Sequence, residues 1–475
     1  MALKTPQQYL ESLRDGRVIY WEGERIDDIT THPLFQVPLA LMCSDYEYHD
    51  ARHGDLRRYT TEEGTQAHRV YQIPRNAEDL DKRVDLMRDA MSIGTAVSSV
   101  YMALMSVKDE VGRVNPMYAE NIERMYRYCR DNDLRAAEVI TDPKGDRKRR
   151  ANEQDDPDLY VRIVERRKDG IVVRGAKLHI TAASVIHELV VMPTKAMKEI
   201  EADYAVSFSI PVSTPGVKII NRSFAPAQLN SFDYPASSHH SCPEGFVVFD
   251  DVFVPWDRVF LAGEMQLAGT LARSLGLWER TGGVVESVKL SELFVGLAQL
   301  VTEMQGKDQD PIAQSSVSEL ITYAEMLRMS LDYACRHYQT TATGMVHPDT
   351  LAINAAKYYY ANNYHTIVKY LHDLGGGLTM TLPLEADLRN PESGKYMMKY
   401  LHTKQGVDVE ARMRVYNMIR DLTADAYGGW NFVVALQAGG GLPAQRLMMN
   451  RTYNMAQAKR RALEAAGVQT ATQTA

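Results

Sequence analysis

The sequence lacks most of the short motifs that mark common cofactor and catalytic sites. It contains no GxGxxG segment opening a βαβ unit, no P-loop, no HExxH and no GxSxG. These motifs bind dinucleotides, phosphates and zinc, or carry an activated serine. Any nucleotide cofactor must therefore be bound by residues outside these motifs.

Cysteine is also scarce. The four cysteines, Cys43, Cys129, Cys242 and Cys335, lie far apart and show no CxxC spacing. Zinc sites and redox disulfides typically show closely spaced cysteines in the sequence. We therefore expect buried, inert thiols in place of a metal or redox centre.

Strong charge of one sign and long apolar runs are missing too. The chain has 54 Lys+Arg against 61 Asp+Glu, for a formal charge of −7, so it offers no basic field for nucleic acid or an anionic membrane. No uncharged apolar run approaches the roughly 18 to 20 residues that cross a bilayer. The polar N-terminus is unlike a signal peptide. These absences predict a cytoplasmic enzyme with no membrane or nucleic-acid partner.

The 475 residues, of which 45% are hydrophobic and 24% charged, have an ordinary globular composition. Hydrophobic periodicity divides them into three regions. Helical spacing dominates at first, alternation with turn residues follows, and helical spacing then returns. The order predicts an α+β protein with an N-terminal helical domain over 1–145, a compact antiparallel β domain over 146–272, and a C-terminal helical bundle with a tail over 273–475. Clefts between such units are favoured ligand sites.

Local patterns predict individual elements. Thr5, Pro6 and Gln8 have the order of a capped helix start. Residues 159–164 and 171–175 flank Asp169-Gly170 as a hairpin. Further strands are predicted over 188–192, 204–212, 217–220 and 246–254, and helices over 80–107, 290–304, 320–334, 352–373 and 407–427.

Two kinds of segment are candidates for cofactor contacts. Glycine runs at 375–377 and 439–441 would let a backbone approach a phosphate closely, although a helix end followed by a turn explains them equally well. Residues 175–184 run from a strand into small and hydroxyl side chains, which suit a flat ring with hydrogen-bonding edges. An ordinary strand end is the alternative there, and His179 alone is more typical of a core histidine.

Four segments, 142–147, 158–177, 249–260 and 390–396, resemble the superfamily of the 4-hydroxyphenylacetate 3-monooxygenase oxygenase component and 4-hydroxybutyryl-CoA dehydratase. The resemblance covers nearly the whole chain. It implies the acyl-CoA-dehydrogenase-like fold, with N-terminal helices, a middle β-barrel domain and a C-terminal helical bundle, in a homotetramer.

The resemblance also implies FAD bound without a dinucleotide-binding domain. By position, Lys144, Gly145, Asp146 and Arg147 match the flavin-contacting loop of the family, and Thr181 matches its flavin-contacting threonine. Gly439, Gly440 and Gly441 match a late contact with the cofactor. Arg147 suits pyrophosphate because its guanidinium donates in pairs.

Departures from the family pattern bear on the reaction. The dehydratase branch binds a [4Fe–4S] cluster through three cysteines and a histidine, and Met91, Thr95, Thr281 and Val288 stand at the matching positions. None of these suits a cluster, so we expect no iron–sulfur centre and no metal.

The phenol hydroxylase branch binds and deprotonates its substrate with an arginine, a tyrosine and a histidine. Ala96, Val100 and Glu138 occupy these places, with Tyr101 one residue away. Glu138 would serve as a base if burial raises its pKa, or would pair with a cationic substrate. A structural carboxylate is the alternative. We take Tyr101, Glu138 and His179 as candidate catalytic residues, with His239 and His240 as weaker ones on a mobile loop.

The function expected from this pattern is that of an FAD-dependent oxidoreductase. We predict the oxygenase component of a two-component monooxygenase, which takes FADH2 from a separate flavin reductase and hydroxylates a small aromatic substrate with O2. Two alternatives stay open. One is a cluster-free flavin enzyme of the acyl-CoA isomerase or dehydrogenase type, and the other is a non-catalytic homologue.

Overall fold

A computed structural model describes residues 3–226 and 229–468. The first region begins with the predicted capped helix, since the Thr5 side chain accepts from the Gln8 backbone N–H and the Gln8 side chain accepts from that of Thr5. Its helices are α1 (Pro6–Ser12), α2 (Gln36–Ser44), α3 (Gly54–Arg57), α4 (Ala77–Asp85), α5 (Ile93–Ala96), α6 (Val100–Val114) and α7 (Pro116–Asp131), and its strands are β1 (Ile19–Trp21), β2 (Glu24–Ile26), β3 (Arg58–Thr60), β4 (Gln66–His68) and β5 (Ala136–Val139).

The middle region supplies most of the sheet structure. Strands β6 and β7 form the predicted hairpin, and the four other predicted strands are confirmed within a few residues of their expected ends. The elements are β6 (Arg162–Arg166), β7 (Gly170–Thr181), β8 (Glu188–Val191), β9 (Val206–Pro211), β10 (Val217–Arg222), α8 (Ser237–His240), β11 (Glu244–Pro255) and β12 (Val259–Ala262).

The expected closed barrel is not what the described residues show. Their longer pairings form two open sheets, a six-stranded one in the order β2-β1-β10-β11-β7-β6 and a four-stranded one in the order β12-β9-β8-β5. Phe208 and Phe249 touch between the sheets, with ring centroids 5.9 Å apart. The middle region is therefore built of two sheets that share one core.

Strands of the first region complete both sheets. β1 pairs with β10, and β5 pairs with β8, and both pairings are parallel. Parallel neighbours need long connections, so they join strands distant in sequence. The alternation within 146–272 predicted only antiparallel hairpins and missed these two. The domain boundaries stay a prediction.

The third region is the expected helical bundle. Its core helices carry the predicted apolar stripes, and α9 runs for 41 residues and packs against α6, α10 and α11. None of the described helices combines the length and hydrophobicity needed to span a bilayer. The elements are α9 (Met265–Gln305), α10 (Pro311–Arg336), β13 (Gln339–Thr340), β14 (Val346–His347), α11 (Thr350–Gly375), α12 (Leu378–Thr381), α13 (Glu385–Arg389), α14 (Gly394–Tyr400), α15 (Val409–Thr423), α16 (Ala426–Gln437), α17 (Gly441–Thr452) and α18 (Met455–Ala465).

Two predicted helices are broken in the structure. The stretch 80–107 contains α4, a π-helical turn, a break at Met91 and Ser92, α5 and α6. The stretch 407–427 ends early because α15 stops at Thr423 and α16 begins at Ala426. Apolar spacing continues through both breaks, so it could not locate them. The end of the predicted tail, 469–475, lies outside the described residues.

A buried ion pair fixes the start of the loop that follows β5. The Lys177 ammonium group donates to Asp142 Oδ1 at 2.6 Å and to the carbonyl oxygens of Ile140 and Met192 at 2.8 and 3.0 Å. Both charged side chains are buried. The pair ties β7 to the residues just before the 144–147 loop.

Replacement of Asp142 should destabilise the protein strongly. Asp142→Ala leaves the buried Lys177 charge without its counter-ion, which costs about 3 kcal/mol of unfolding free energy. Urea unfolding measures this loss. Asp155→Ala is the matched control, because Asp155 is an exposed carboxylate that pairs with Arg149 at the surface. Equal effects of the two substitutions would contradict the structural role of Asp142.

Candidate active site at the seam of sheet and bundle

The first part of the site lies where β7 ends. Thr181 stands directly opposite Glu244 in the β7–β11 register. Its hydroxyl group lies 3.1 and 3.2 Å from the two carboxyl oxygens of Glu244. Trp430 of α16 reaches the same carboxyl group from the bundle side. We call Thr181, Glu244 and Trp430 the Thr181 cluster.

Aromatic rings surround this cluster. Trp430 stacks on Tyr427 with centroids 5.4 Å apart and packs against Phe224 at 6.1 Å. Desolvation among these groups raises the pKa of Glu244 to about 7, although the hydrogen bonds from Thr181 and Trp430 act in the opposite direction. Glu244 therefore exchanges its proton near neutral pH.

The second part of the site is a pair of carboxyl groups. Glu138 lies on β5, at the edge of the four-stranded sheet, and Glu279 lies on α9. Desolvation and, second, the negative charge of Glu279 raise the pKa of Glu138 well above its ordinary value. We call Glu138 and Glu279 the acid pair, in which the negative charge of Glu279 favours the protonated form of Glu138.

Glu279 and Arg280 of α9 and Lys357 of α11 hydrogen-bond the backbone in and before the 439–441 turn, next to the acid pair. We call these three side chains the clasp. Gly439 donates its N–H to Glu279 Oε1 at 2.8 Å, and its carbonyl oxygen accepts from Arg280 Nε at 2.7 Å. Arg280 also donates to Asn354 Oδ1 at 3.0 Å. Lys357 donates to the Ala435 carbonyl at 2.8 Å, and desolvation lowers its pKa to about 8.

The glycines of this turn are required by the clasp. Gly439, Gly440 and Gly441 all have positive φ angles, 73°, 96° and 63°. A Cβ on Gly439 would lie 2.8 Å from Arg280 Cγ. The turn joins α16 to α17. A role in cofactor contact stays a prediction.

The loop expected to contact flavin is exposed. Lys144, Gly145, Asp146 and Arg147 lie at the surface. Tyr160 donates to the Lys144 carbonyl at 2.6 Å and so fixes the start of the loop. Lys144 and Gly145 have φ angles of 75° and 54°. Asp146 accepts from the Lys148 backbone N–H at 2.9 Å, whereas Lys144 and Arg147 extend at the surface, and the flavin contact of this loop stays a prediction.

The candidate catalytic residues are not brought together. Tyr101 is fully buried, and its hydroxyl group lies 3.2 Å from Ser209 Oγ and 3.4 Å from Cys129 Sγ. Desolvation raises its pKa well above the ordinary value. No hydrogen bond in the described ranges joins it to Glu138 or to the Thr181 cluster. Its substrate role stays a prediction, with less support than that of Glu138.

The candidate histidines lie at the surface. His179 has a φ angle of 57° on β7, and partial desolvation together with the Lys144 charge lowers its pKa. His239 and His240 end α8. The loop carrying them is anchored, because Asp421 accepts the backbone N–H groups of Ala236 and Ser237 at 2.8 and 2.7 Å. The expectation of a mobile loop overlooked this anchor.

The positions that match cluster ligands have structural roles here. Thr95 accepts from Arg135 Nε at 3.1 Å, and Thr281 donates to the Leu277 carbonyl at 2.9 Å. Val288 is buried and Met91 packs against the core. Within residues 3–226 and 229–468, no group of three or more His, Cys, Asp or Glu side chains is arranged to hold a metal. All four cysteines are unpaired, and Cys43 is the one that is not fully buried.

Sequence reasoning missed five residues of this site, namely Glu244, Glu279, Arg280, Lys357 and Trp430. The neighbouring charged residues Glu279 and Arg280 lie within the mostly buried segment 274–281. They could have indicated a functional site, because charged side chains are rarely buried unless they are paired. Glu244 gave no such signal. Its importance comes from standing opposite Thr181 across two strands that are distant in sequence.

Two sheets on a helical bundle, with hydroxyl, carboxyl and aromatic groups at the seam, define the acyl-CoA-dehydrogenase-like class of flavoenzyme folds. Models of the 4-hydroxyphenylacetate 3-hydroxylase N-terminal and C-terminal regions match residues 5–261 and 268–467. The chain belongs to this 4-hydroxyphenylacetate 3-hydroxylase family.

Relatives of two kinds are similar to the chain. The 4-hydroxyphenylacetate 3-monooxygenase oxygenase component of Thermus thermophilus is 31% identical over 90% of this chain and 89% of its own. The 4-hydroxybutyryl-CoA dehydratase/vinylacetyl-CoA-Δ-isomerase of Clostridium aminobutyricum is 30% identical over 98% of this chain and 100% of its own.

Solved structures divide in the same way. A 4-hydroxybutyryl-CoA dehydratase of N. maritimus matches with a TM-score of 0.90 at 26% identity, over 99% of this chain and 96% of its own. The oxygenase component of a 4-hydroxyphenylacetate 3-monooxygenase, solved with FAD, matches with a TM-score of 0.88 at 28% identity, over 98% of this chain and 99% of its own. Fold similarity alone does not separate the two chemistries.

Substitution of Gly439 should disrupt the clasp. Gly439→Ala places a Cβ against Arg280 and requires a left-handed alanine, which together cost roughly 2 kcal/mol of unfolding free energy. Gly429→Ala is the matched control, since Gly429 lies within α16 with nothing near its Cβ position, and alanine should be neutral or stabilising there. Thermal unfolding of both variants checks the prediction, and a Gly439→Ala protein as stable as the control would contradict it.

The raised pKa of Glu138 predicts a pH-dependent stability. Between the ordinary pKa and the raised one, the folded protein keeps a proton that the unfolded chain releases, so stability falls as pH rises. Glu138→Gln removes this loss. The variant should match the wild type near pH 4 and exceed it increasingly towards pH 8.

Urea midpoints of the two proteins across this pH range measure the effect. Glu199→Gln, which changes an exposed carboxylate, is the control and should show no such trend. A difference between Glu138→Gln and wild type that stays constant with pH would show that Glu138 is not desolvated.

Proposed function

We propose that this protein is an FADH2-dependent monooxygenase, the oxygenase component of a two-component system that hydroxylates a small aromatic substrate with O2. The match of both halves of the chain to the hydroxylase family carries the proposal. Relatives named as oxygenase components act on 4-hydroxyphenylacetate and 4-nitrophenol. Such a component receives FADH2 from a separate flavin reductase.

The residues at the seam fit a flavin. The Thr181 hydroxyl and the Trp430 indole offer a polar and an aromatic contact side by side, as a flat ring with hydrogen-bonding edges requires. The exposed cations Lys144 and Arg147, and the 439–441 turn, suit the phosphate-bearing part of FAD. When bound, reduced FAD supplies the two electrons that activate O2.

Glu138 is the residue that we assign to proton transfer. A phenol reacts faster when its O–H proton is withdrawn, and a carboxyl group with a raised pKa is a better base than an ordinary one. Glu138 lies on β5, and the negative charge of Glu279 on α9 adds to desolvation in raising the pKa of Glu138. The arrangement replaces the arginine, tyrosine and histidine implied by the family resemblance.

We also propose that the protein works without an iron–sulfur cluster. Met91, Thr95, Thr281 and Val288 offer no thiolate, and cluster irons are held by thiolates. Family resemblance further supports a cytoplasmic homotetramer. The unpaired state of the four cysteines is consistent with a reducing compartment.

A second candidate function is favoured by a specific observation. The similarity to the dehydratase/isomerase of Clostridium aminobutyricum spans 98% of this chain at 30% identity, as much as the similarity to the hydroxylases. A cluster-free flavin enzyme that moves hydrogens on an acyl-CoA thioester would retain this fold and the acid pair. Tight binding of oxidised FAD is its distinguishing property.

One anaerobic experiment separates the functions. The protein is mixed with reduced FAD and a phenol, 4-hydroxyphenylacetate or 4-nitrophenol, and O2 is then admitted. The proposal predicts a hydroxylated product, with about 100-fold less in Glu138→Gln, because a positioned base contributes that much. Chromatography of the products and FAD binding by equilibrium dialysis are the readouts, and the exposed-site variant Glu199→Gln is the control.

Other results would overturn the proposal. Oxidised FAD that stays bound and is bleached by an acyl-CoA thioester, without hydroxylated product, would support the isomerase or dehydrogenase. No binding of FAD in either redox state would support a non-catalytic homologue. A brown, iron- and sulfide-containing protein after anaerobic reconstitution would contradict the cluster-free assignment.

A further inference from the structure

The hydrogen bond between Thr181 and Glu244 can run in either direction. A threonine hydroxyl has one proton to donate and lone pairs to accept with. An ionised carboxylate only accepts, so ionised Glu244 must receive the Thr181 proton. Protonated Glu244 can donate to Thr181 Oγ1 instead, and this releases the Thr181 proton for another partner. The distances of 3.1 and 3.2 Å permit both arrangements.

Few charged groups compete for Glu244. Thr181 faces it from β7 and Trp430 from α16, and both are neutral. Arg222 is its register partner on β10, but Arg222 is exposed and its guanidinium lies 5.9 Å from the Phe224 ring. On its own segment, Cys242 is a buried thiol whose pKa is raised by desolvation, so it stays neutral. Among the groups that face Thr181, Glu244 is thus the one with a carboxyl charge that varies near neutral pH.

The edge of a flavin ring changes in a complementary way. Its N5 atom accepts hydrogen bonds in the oxidised state and carries a proton, which it donates, in the reduced state. A hydroxyl group that only accepts therefore suits the reduced ring, and one that donates suits the oxidised ring. Hydrogen bonds to ring nitrogens are one of the means by which proteins tune flavins.

We propose that Glu244 is a positioning residue that sets the direction of the Thr181 hydrogen bond and thereby which redox state of FAD the site prefers. The inference rests on the proposed function, since it requires FAD beside Thr181. Ionised Glu244 turns Thr181 into an acceptor and favours FADH2. Protonated Glu244 turns Thr181 into a donor and favours oxidised FAD.

The change in hydrogen-bond direction can be linked to the exchange of FADH2 for oxidised FAD in each catalytic cycle. Desolvation puts the pKa of Glu244 at about 7, so both states are populated near neutral pH. An oxygenase component must accept FADH2 and release FAD after each turnover. Proton uptake by Glu244 would weaken the hold on the reduced ring and strengthen the hold on the oxidised one, and proton loss would do the reverse.

The ratio of dissociation constants, Kd of oxidised FAD over Kd of FADH2, tests the proposal. We expect this ratio to rise by about five-fold more in the wild type than in Glu244→Gln between pH 6 and pH 8, the effect of one hydrogen bond. Reduced FAD also titrates by itself, but it does so equally with both proteins. Anaerobic equilibrium dialysis at the two pH values measures the ratio.

Variants of Thr181 separate hydrogen-bond direction from simple charge. Thr181→Val keeps the Glu244 carboxyl group and should lose the pH response, whereas Thr181→Ser should retain it. Charge repulsion alone would act with the opposite sign, because ionised Glu244 would weaken binding of the reduced, anionic ring. Glu264→Gln is the matched control, since Glu264 also accepts a hydroxyl hydrogen bond, from Tyr118 at 3.1 Å, and it should leave the response unchanged.

The outcomes are distinct. An equal pH response in wild type and Glu244→Gln, or a response that survives in Thr181→Val, would overturn this inference while leaving the proposed function in place. Failure of the wild type to bind either form of FAD would overturn both. If Glu244→Gln does not fold, the comparison of Thr181→Val with Thr181→Ser decides the question.

Discussion

The half-buried, desolvated carboxyl groups of Glu138 and Glu244, at the seam between the sheets and the bundle, are the constraint on which the rest of the site depends. An ionised carboxylate without partners costs several kcal/mol inside a protein, so each group must be paired or hold a proton. Desolvation and the Glu279 charge favour the protonated form of Glu138, and Glu244 is hydrogen-bonded by Thr181 and Trp430. The same desolvation raises the pKa of Glu138 and raises that of Glu244 to about 7.

The backbone around the seam is arranged to support this chemistry. Glu279 and Arg280 come from one turn of α9. Glu279 accepts a hydrogen bond from the Gly439 N–H, and Arg280 donates one to the Gly439 carbonyl oxygen. These two contacts require a residue without a side chain, which gives Gly439 a packing role. Asp421 anchors the loop of α8 to the bundle, and Lys177 anchors β7 to Asp142, just before the loop at 144–147. Rigid supports of this kind keep the polar groups in place without a cofactor.

Much of the fold could be predicted from the sequence because periodicity reports burial directly. The hairpin at Asp169-Gly170, the capped start at Thr5 and the bundle stripes followed from local pattern. The parallel partners β1 and β5 could not be predicted, since their pairing joins residues about 200 and 50 positions apart. For the site, alignment to a family pointed to Thr181 and Glu138, whose roles stay predictions. It could not locate Glu244 or Glu279, whose roles come from neighbours in space.

The central claim is that FAD binds at the seam, with its ring beside the Thr181 cluster. A crystal structure of the protein grown anaerobically with FADH2 tests it most directly. The account predicts ring density within hydrogen-bonding distance of Thr181 Oγ1 and in contact with Trp430, with the substrate side of the ring open towards Glu138. Density for the ring elsewhere on the protein, or a seam closed by side chains with FADH2 present in the crystal, would contradict the account.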